Sequence, residues 1–284
     1  MKTFALSVVI TSALCGQALA WGQEGHSIVA EIAQQRLKEP AAKKVQQLLK
    51  GRSLASVASW ADDVRPERPE TYNWHFADIP LQSEKYSEAR DCKPNAQKGD
   101  CIVKELVRLK NDLRCTTGDA QAEALKFAVH FLGDIHQPLH TVDDMAGGNE
   151  LQLEIFMRGM TTCTDKNTCK PVRMPTNFHS AWDSGLINKT TWNWGAYVTR
   201  LEGGWLKSAE ANRAGIDAGT PEEWANETHS KARIIWDLRP TDDVLDDRYY
   251  REVLPILDRQ LGVAGLRLAK FINDAYASDR CPVP

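Results

Sequence analysis

The sequence predicts a mainly α-helical single domain that carries a small β-hairpin. Three observations predict it. Apolar residues recur at three- and four-residue spacing through most of the chain. Only one stretch alternates cleanly between polar and apolar. No internal repeat, low-complexity tract or linker-like composition divides the 284 residues.

The first element is not part of that domain. Residues 1–20 read as a signal peptide: Lys2 gives the positive start, Phe4 to Leu14 the apolar run, and Ala18-Leu19-Ala20 a cleavage site of small residues. Cleavage between Ala20 and Trp21 leaves one domain over residues 21–284, secreted or periplasmic. Ile28, Val29, Ile32, Ala33 and Leu37 then share a helix face after Gly25-His26. A second helix runs from Ala41 to Leu49 and is closed by Gly51. Ser53 caps a short helix through Val57 to Trp60. Residues 82–100 are polar, contain Pro94 and Gly99, and read as a loop. Cys101 to Leu113 and Ala120 to Asp134 are amphipathic helices. Residues 150–156 alternate after Gly147-Gly148 and form the strand, with a hairpin partner near Lys170 to Met174. Thr220-Pro221-Glu222-Glu223 is a capping box with proline at the first helical position. The last helix covers about 261–276, with Leu261, Ala264, Leu268, Ile272 and Ala275 on one face.

Composition excludes several classes. Charged residues at 26% and hydrophobic ones at 42% rule out a disordered or fibrous chain. No apolar run after residue 20 approaches the ~18 residues of a membrane span. The net charge of −3, or −4 once Lys2 is removed, excludes nucleic-acid binding by bulk positive charge. Any such binding needs a local site. Past the signal six cysteines remain: Cys92, Cys101, Cys115, Cys163, Cys169 and Cys281. An even number in an exported chain points to three disulfides. The sequence cannot choose among the possible pairings, although Cys92–Cys101 and Cys163–Cys169 are close enough to pair locally, leaving Cys115 for Cys281. No C-x-x-C spacing suggests a thiolate metal site.

The chemistry lies in the histidines and aspartates. His130-x-x-x-Asp134 and His179-x-x-x-Asp183 each put an imidazole and a carboxylate on one helix face, where both can reach one metal. One such pair is weak evidence; two in one exported chain, among other histidines in turn-rich contexts, point to metal. Pro138 ends or bends the helix before His140, which turns His140 toward a different metal from His130. The run His136-Gln137-Pro138-Leu139-His140 fails as a protease H-E-x-x-H, because glutamine replaces the base and proline breaks the helix. After cleavage the Trp21 amine, with a reference pKa of about 7.7–8, can bind metal together with its own carbonyl and His26. Asp62 or Asp63 can supply another ligand, with Arg65 one turn on as a phosphate clamp. In Trp74-His75-Phe76-Ala77-Asp78, alternation sets His75 and Ala77 one way and Phe76 and Asp78 the other; His75 can bind a metal, while Phe76 can stack a base and Asp78 accept from its exocyclic amine, although a Phe in such a pattern is more often core.

Taken together, W-G-x-x-G-H, S-W-A-D-D-x-R, W-H-F-x-D-I, H-F-x-G-D-I-H-Q-P-L-H, G-G-N and N-F-H-S-A-W-D follow one another over nearly the whole mature chain. In them the chain resembles the zinc-dependent, single-strand-specific nucleases of secreted fungal and plant enzymes (the P1/S1 nuclease family), here as a secreted bacterial member. The resemblance implies a helical fold similar to zinc phospholipase C and three Zn²⁺ ions. One zinc would be held by Asp62, His75, His130 and Asp134, and a second by His140, His179 and Asp183. The third would take the Trp21 amine and carbonyl, His26, and an oxygen of Asp134. Asp62 is preferred to Asp63 because it follows Trp60-Ala61 directly. Phe76, Asp78 and Asn149 would bind the base, flanked by the small Ala146. Asp62 would help to orient the attacking water and Arg65 would offset transition-state charge. The implied activity is endonucleolytic cleavage of single-stranded DNA and RNA to 5′-phosphate products, with 3′-nucleotidase activity, by a monomer that does not enter membranes. A zinc phospholipase C-like phosphodiesterase and a non-enzymatic periplasmic zinc-binding protein are the alternatives.

Overall fold

The computed structural model describes residues 21–165, 168–277 and Cys281. The signal segment lies outside the described residues. The fold is mainly α-helical with one small sheet.

Helix α1 (Gln23–Gln34) buries Ile28, Val29, Ile32 and Ala33, the face its spacing predicts. It packs against three later helices, the last being the longest: α6 (Gly118–Asp134), α9 (Trp194–Gly203) and α11 (Asp247–Tyr276). Helix α2 (Ala41–Leu48) follows. The short helix expected through Trp60 divides into a 3-10 turn at Ala55–Val57 and helix α3 (Trp60–Val64). The loop expected at 82–100 contains a four-residue helix, α4 (Glu88–Asp91), and an antiparallel bridge between Asn95 and Gly99. Helix α5 (Ile102–Cys115) lies on α6, which is buried along most of its second half. Where the pattern of residues 74–78 suggested extended chain, residues Pro69–His75 form a 3-10 helix instead. The burial alternation nonetheless holds, with His75 and Ala77 buried and Phe76 and Asp78 turned outward.

The hairpin is longer than the alternation announced. Strand β1 (Gln152–Asp165) pairs antiparallel with β2 (Thr168–Asn177), and β3 (Val244–Leu245) adds a short parallel edge. Its far half is solvated on both faces, so no apolar period marks it. Helix α7 (Phe178–Ser180), a π-helical turn at Ala181–Gly185 and α8 (Leu186–Thr190) follow without a break. Helix α10 (Pro221–Asp237) opens with the predicted capping box, Thr220 and Glu223 each bonding the other's backbone N–H.

The last helix corrects the sequence reading most. It starts at Asp247 rather than near 261, because the Asp246 carboxylate accepts from the Arg248 and Tyr249 N–H groups. Pro255 sits inside it, and a proline there had hidden the first half of the helix. The cysteines pair 92–101, 115–281 and 163–169. Among the described residues no helix is long and apolar enough to cross a membrane.

Candidate metal centre

Six segments bring the histidines and aspartates together. Helix α6 supplies His130 and Asp134 from one face, with His130 Nε2 3.2 Å from Asp134 Oδ2. It ends there because Pro138 has no N–H to continue the ladder; the Asp134 carbonyl accepts from Gln137 N instead, at 2.9 Å. Residues Pro138–Thr141 then form a 3-10 turn that aims His140 away from His130. Helix α3 contributes Asp62, and the Pro69–His75 turn contributes His75. The π-helical segment presents Asp183 3.5 Å from His179.

Among the described residues, three groups of side chains are able to hold a metal: His26 with His130 and Asp134, Asp62 with His75 and His130, and His140 with His179 and Asp183. Asp134 faces two groups at once. Its Oδ1 lies 3.2 Å from His26 Nε2, while its Oδ2 lies 3.1 Å from His75 Nδ1. Asp62 Oδ1 stands 3.6 Å from both His75 and His130, whereas Asp63 is exposed and belongs to no group. Trp21 is fully buried beside the first group, its indole N–H donating to the Gly133 carbonyl at 2.9 Å. The next residue, Gly22, donates its N–H to the Asp183 carbonyl.

The donor set fits cations. His130, His140 and His179 each donate Nδ1–H to a backbone carbonyl, of Ala58, His75 and Gly147 respectively, at 2.7–2.8 Å. That fixes the tautomer and leaves each Nε2 lone pair facing inward. The Nε2 atoms of His140 and His179 stand 3.1 Å apart with neither proton available to join them. Both His26 nitrogens, His75 Nε2, Asp62 Oδ1 and Asp134 Oδ1 are buried without a hydrogen-bond partner. Buried polar atoms are rarely left so, and a cation between them removes the anomaly.

Burial disfavours a charged His130, but the Asp134 and Asp62 carboxylates overcome that and push it up to about 9. Burial alone would raise Asp134 too; His130 and His26 instead hold it well below the usual carboxylate range. Burial pulls His75 down to about 4 and His179 to about 3, and lowers His26 and His140. Burial drives the Asp183 carboxyl well above its ordinary value, against a hydrogen bond from Gln137.

A cavity of about 320 Å³ opens beside the cluster, lined by His75, His140 and His179 on one side and Arg65, Phe76 and Asp78 on another. Arg65 is buried over the Tyr72 ring, 4.1 Å from its centroid, and donates to the Tyr72 carbonyl. Asn149 also lines the cavity, its amide tied to the Ala146 carbonyl at 2.8 Å. Ala146 borders it with a left-handed backbone. Asp78 reaches solvent at the mouth. The cleft walls still strip water from it, and Asp143 and Asp91 add negative charge, pushing its carboxyl up to about 6.

Sequence reasoning passed over Gln137. Its amide donates to Asp183 Oδ1 at 2.5 Å and its carbonyl accepts from Leu139 N, so it fixes both a carboxylate and the turn. A polar residue directly before the proline was the available signal. His136 stands outside the three groups. It is buried, its Nδ1 donating to the Leu132 carbonyl and its Nε2 accepting from Arg267. His229 is a core tie, with its ring between the Thr141 and Ser83 carbonyls.

The match to known proteins covers the same span. The S1/P1 nuclease family matches residues 21–277. The chain is 31% identical to Endonuclease 2 of Arabidopsis thaliana, covering 90% of each. It is 28% identical to Nuclease P1 of Penicillium citrinum, over 91% of this chain and 99% of that one. With Nuclease S1 of Aspergillus oryzae it shares 28%, over 93% and 94%. With its metal-capable groups inside that match, which takes in most of its length, the chain belongs to the S1/P1 nuclease family and is a hydrolase of nucleic acid.

Proposed function

We propose that this chain is a secreted endonuclease using three zinc ions to cleave single-stranded DNA and RNA to 5′-phosphate products, with 3′-nucleotidase activity. The observation that carries the reading is the position of Asp134, whose two oxygens face two different histidine groups beside a cavity bearing Arg65 and Phe76. Asp62, His75, His130 and Asp134 would hold one ion, and His140, His179 and Asp183 a second. His26, Asp134 and the amine and carbonyl of Trp21 would hold the third, once residues 1–20 are removed.

Bound zinc lowers the pKa of water and draws charge from the phosphate. The protein's own part is positional. Asp62, the least buried member of its group, can orient the attacking water and take its proton. The Arg65 guanidinium is fixed by Tyr72 and neutralises charge that grows on the non-bridging oxygens, worth about 3 kcal/mol in such sites. Phe76 offers an aromatic face to a base and Asp78 an acceptor for an exocyclic amine. A base inside a duplex is stacked and cannot reach Phe76, which accounts for single-strand preference. Stacking tolerates any base, so sequence preference is weak.

The test is a gel assay with single- and double-stranded DNA and RNA, before and after chelation and with zinc returned. Single strands are expected to be degraded, duplexes spared, and activity lost and regained with the metal. Intact single strands alongside release of phosphocholine from lecithin would overturn the reading. So would three zincs per chain with no hydrolysis.

A further inference from the structure

We propose that Lys98, set over the Tyr72 ring, binds the backbone phosphate adjoining the one at the metal centre, and that Tyr72 is the positioning residue joining it to Arg65. This rests on the reading of the cavity as a nucleic-acid site.

Two cations share one aromatic ring. Arg65 lies 4.1 Å and Lys98 Nζ 4.7 Å from the Tyr72 centroid, and all three residues line the cavity that holds His75, His140 and His179. A single lysine on an aromatic ring is common. A second cation on the same ring is repelled by the first, and an anion bound beside either relieves that repulsion. Among the described residues no carboxylate pairs with Lys98. The nearby Glu70 is engaged by Arg68 at 2.9 Å, which also binds Glu123. Asp78 and Asp143 line the same cavity, so the positive charge is confined to its Tyr72 side, where Arg65 and Lys98 stand.

Lys98 is exposed, but its backbone is not loose. The Cys92–Cys101 disulfide closes its loop, and Asn95 and Gly99 exchange two backbone hydrogen bonds across it. Asn95 Oδ1 also accepts from the Gln97 and Lys98 N–H groups. The Lys98 carbonyl accepts from Asn73 N at 2.9 Å, which pins the loop to the turn carrying both Tyr72 and His75. Gly99 permits that seat. Its φ is +82°, and a Cβ there would lie 2.4 Å from the Glu70 carbonyl and 2.3 Å from Trp74 Nε1. The Lys98 backbone is thereby tied to the turn that carries Tyr72 and His75, so its ammonium reaches the cavity from a fixed base on the Tyr72 ring.

The test measures KM and kcat of the zinc-loaded protein on a single-stranded oligodeoxynucleotide across a salt series. Lys98→Ala is expected to raise KM roughly fivefold at low salt, with kcat little changed, and to flatten log KM against log salt by about 0.7, the increment of one phosphate contact on a single strand. Lys98→Arg should restore both. The comparison variant is Lys126→Ala, which removes a similar stack, 3.6 Å over Trp60, outside the cavity. Tyr72→Ala should lower kcat as well, by freeing Arg65, and Tyr72→Phe should rescue it. A Lys98→Ala protein whose KM and salt slope match Lys126→Ala overturns the proposal. If the wild-type protein leaves single strands intact, the nuclease reading itself fails and this contact falls with it.

Discussion

His130 and His136 lie close in sequence and are both fully buried, yet their second nitrogens meet different partners. His130 turns Nε2 toward two carboxylates; His136 turns Nε2 toward the Arg267 guanidinium, which together with burial holds it near 3 and neutral. The spacing of four made His130 and Asp134 legible in the sequence, because it fixes a shared helix face. The carbonyls of Ala58, His75 and Gly147, which set the ring tautomers, were not legible, since a backbone acceptor has no residue signature. Asp62 could be told from Asp63 only by resemblance, and the exposure of Asp63 agrees with that choice.

Asp78 gives a pH test at the same scale. Its carboxyl titrates at about 6, so below that pH it is protonated and accepts poorly; as pH rises through 6 the acceptor appears. The ratio of KM for an adenine-rich over a thymine-rich strand should therefore fall as pH rises past 6, by about tenfold for one charged hydrogen bond. The ratio cancels any loss of metal common to both substrates. Asp78→Asn should make it independent of pH, and a flat ratio in the wild type would show that Asp78 does not read the base.

Helix α6 carries the site because of how it ends. Its buried face supports Phe127 and Phe131 in the core, and its last turn delivers Asp134 to two histidine groups before Pro138 redirects the chain. Helices with an unbroken apolar period, such as α1 and α6, were legible. The first half of α11 was hidden by Pro255, and the outer hairpin by its exposure on both faces. Gly133 is informative here. In an ordinary helix, Gly→Ala stabilises by about 1 kcal/mol. At this position a Cβ would lie 2.6 Å from His26 Nδ1 and 3.0 Å from its Cε1. Gly133→Ala is thus expected to displace His26, at an overpacking cost of about 1–3 kcal/mol. Metal analysis should find the ion at His26 missing while the His140–His179–Asp183 group stays loaded. A full complement with wild-type turnover would show that His26 is not a ligand.

At the scale of the whole molecule, the chain's first described residue meets its centre. The Cys115–Cys281 disulfide ties a late position back to α5, and Trp21 is buried against the end of α6, with its indole on Gly133. The side chains of His26, His130 and Asp134 supply three donors, of which His130 is shared with Asp62 and His75. A zinc site takes about four ligands. On the proposed reading the Trp21 backbone supplies the remainder, since the Gly22 N–H is bound to Asp183 and the Gly22 carbonyl accepts from His26 N at 3.2 Å. Only a free amine can serve, since an amide nitrogen has no available lone pair. Removal of residues 1–20 would then complete the catalytic centre as well as release the protein. A chain carrying one extra glycine before Trp21 should bind two zincs instead of three and lose turnover by about a hundredfold or more. It should also melt at the wild-type temperature when both are stripped with chelator, which separates loss of a ligand from loss of fold. Three zincs and unchanged turnover in that chain would show that the amine plays no part.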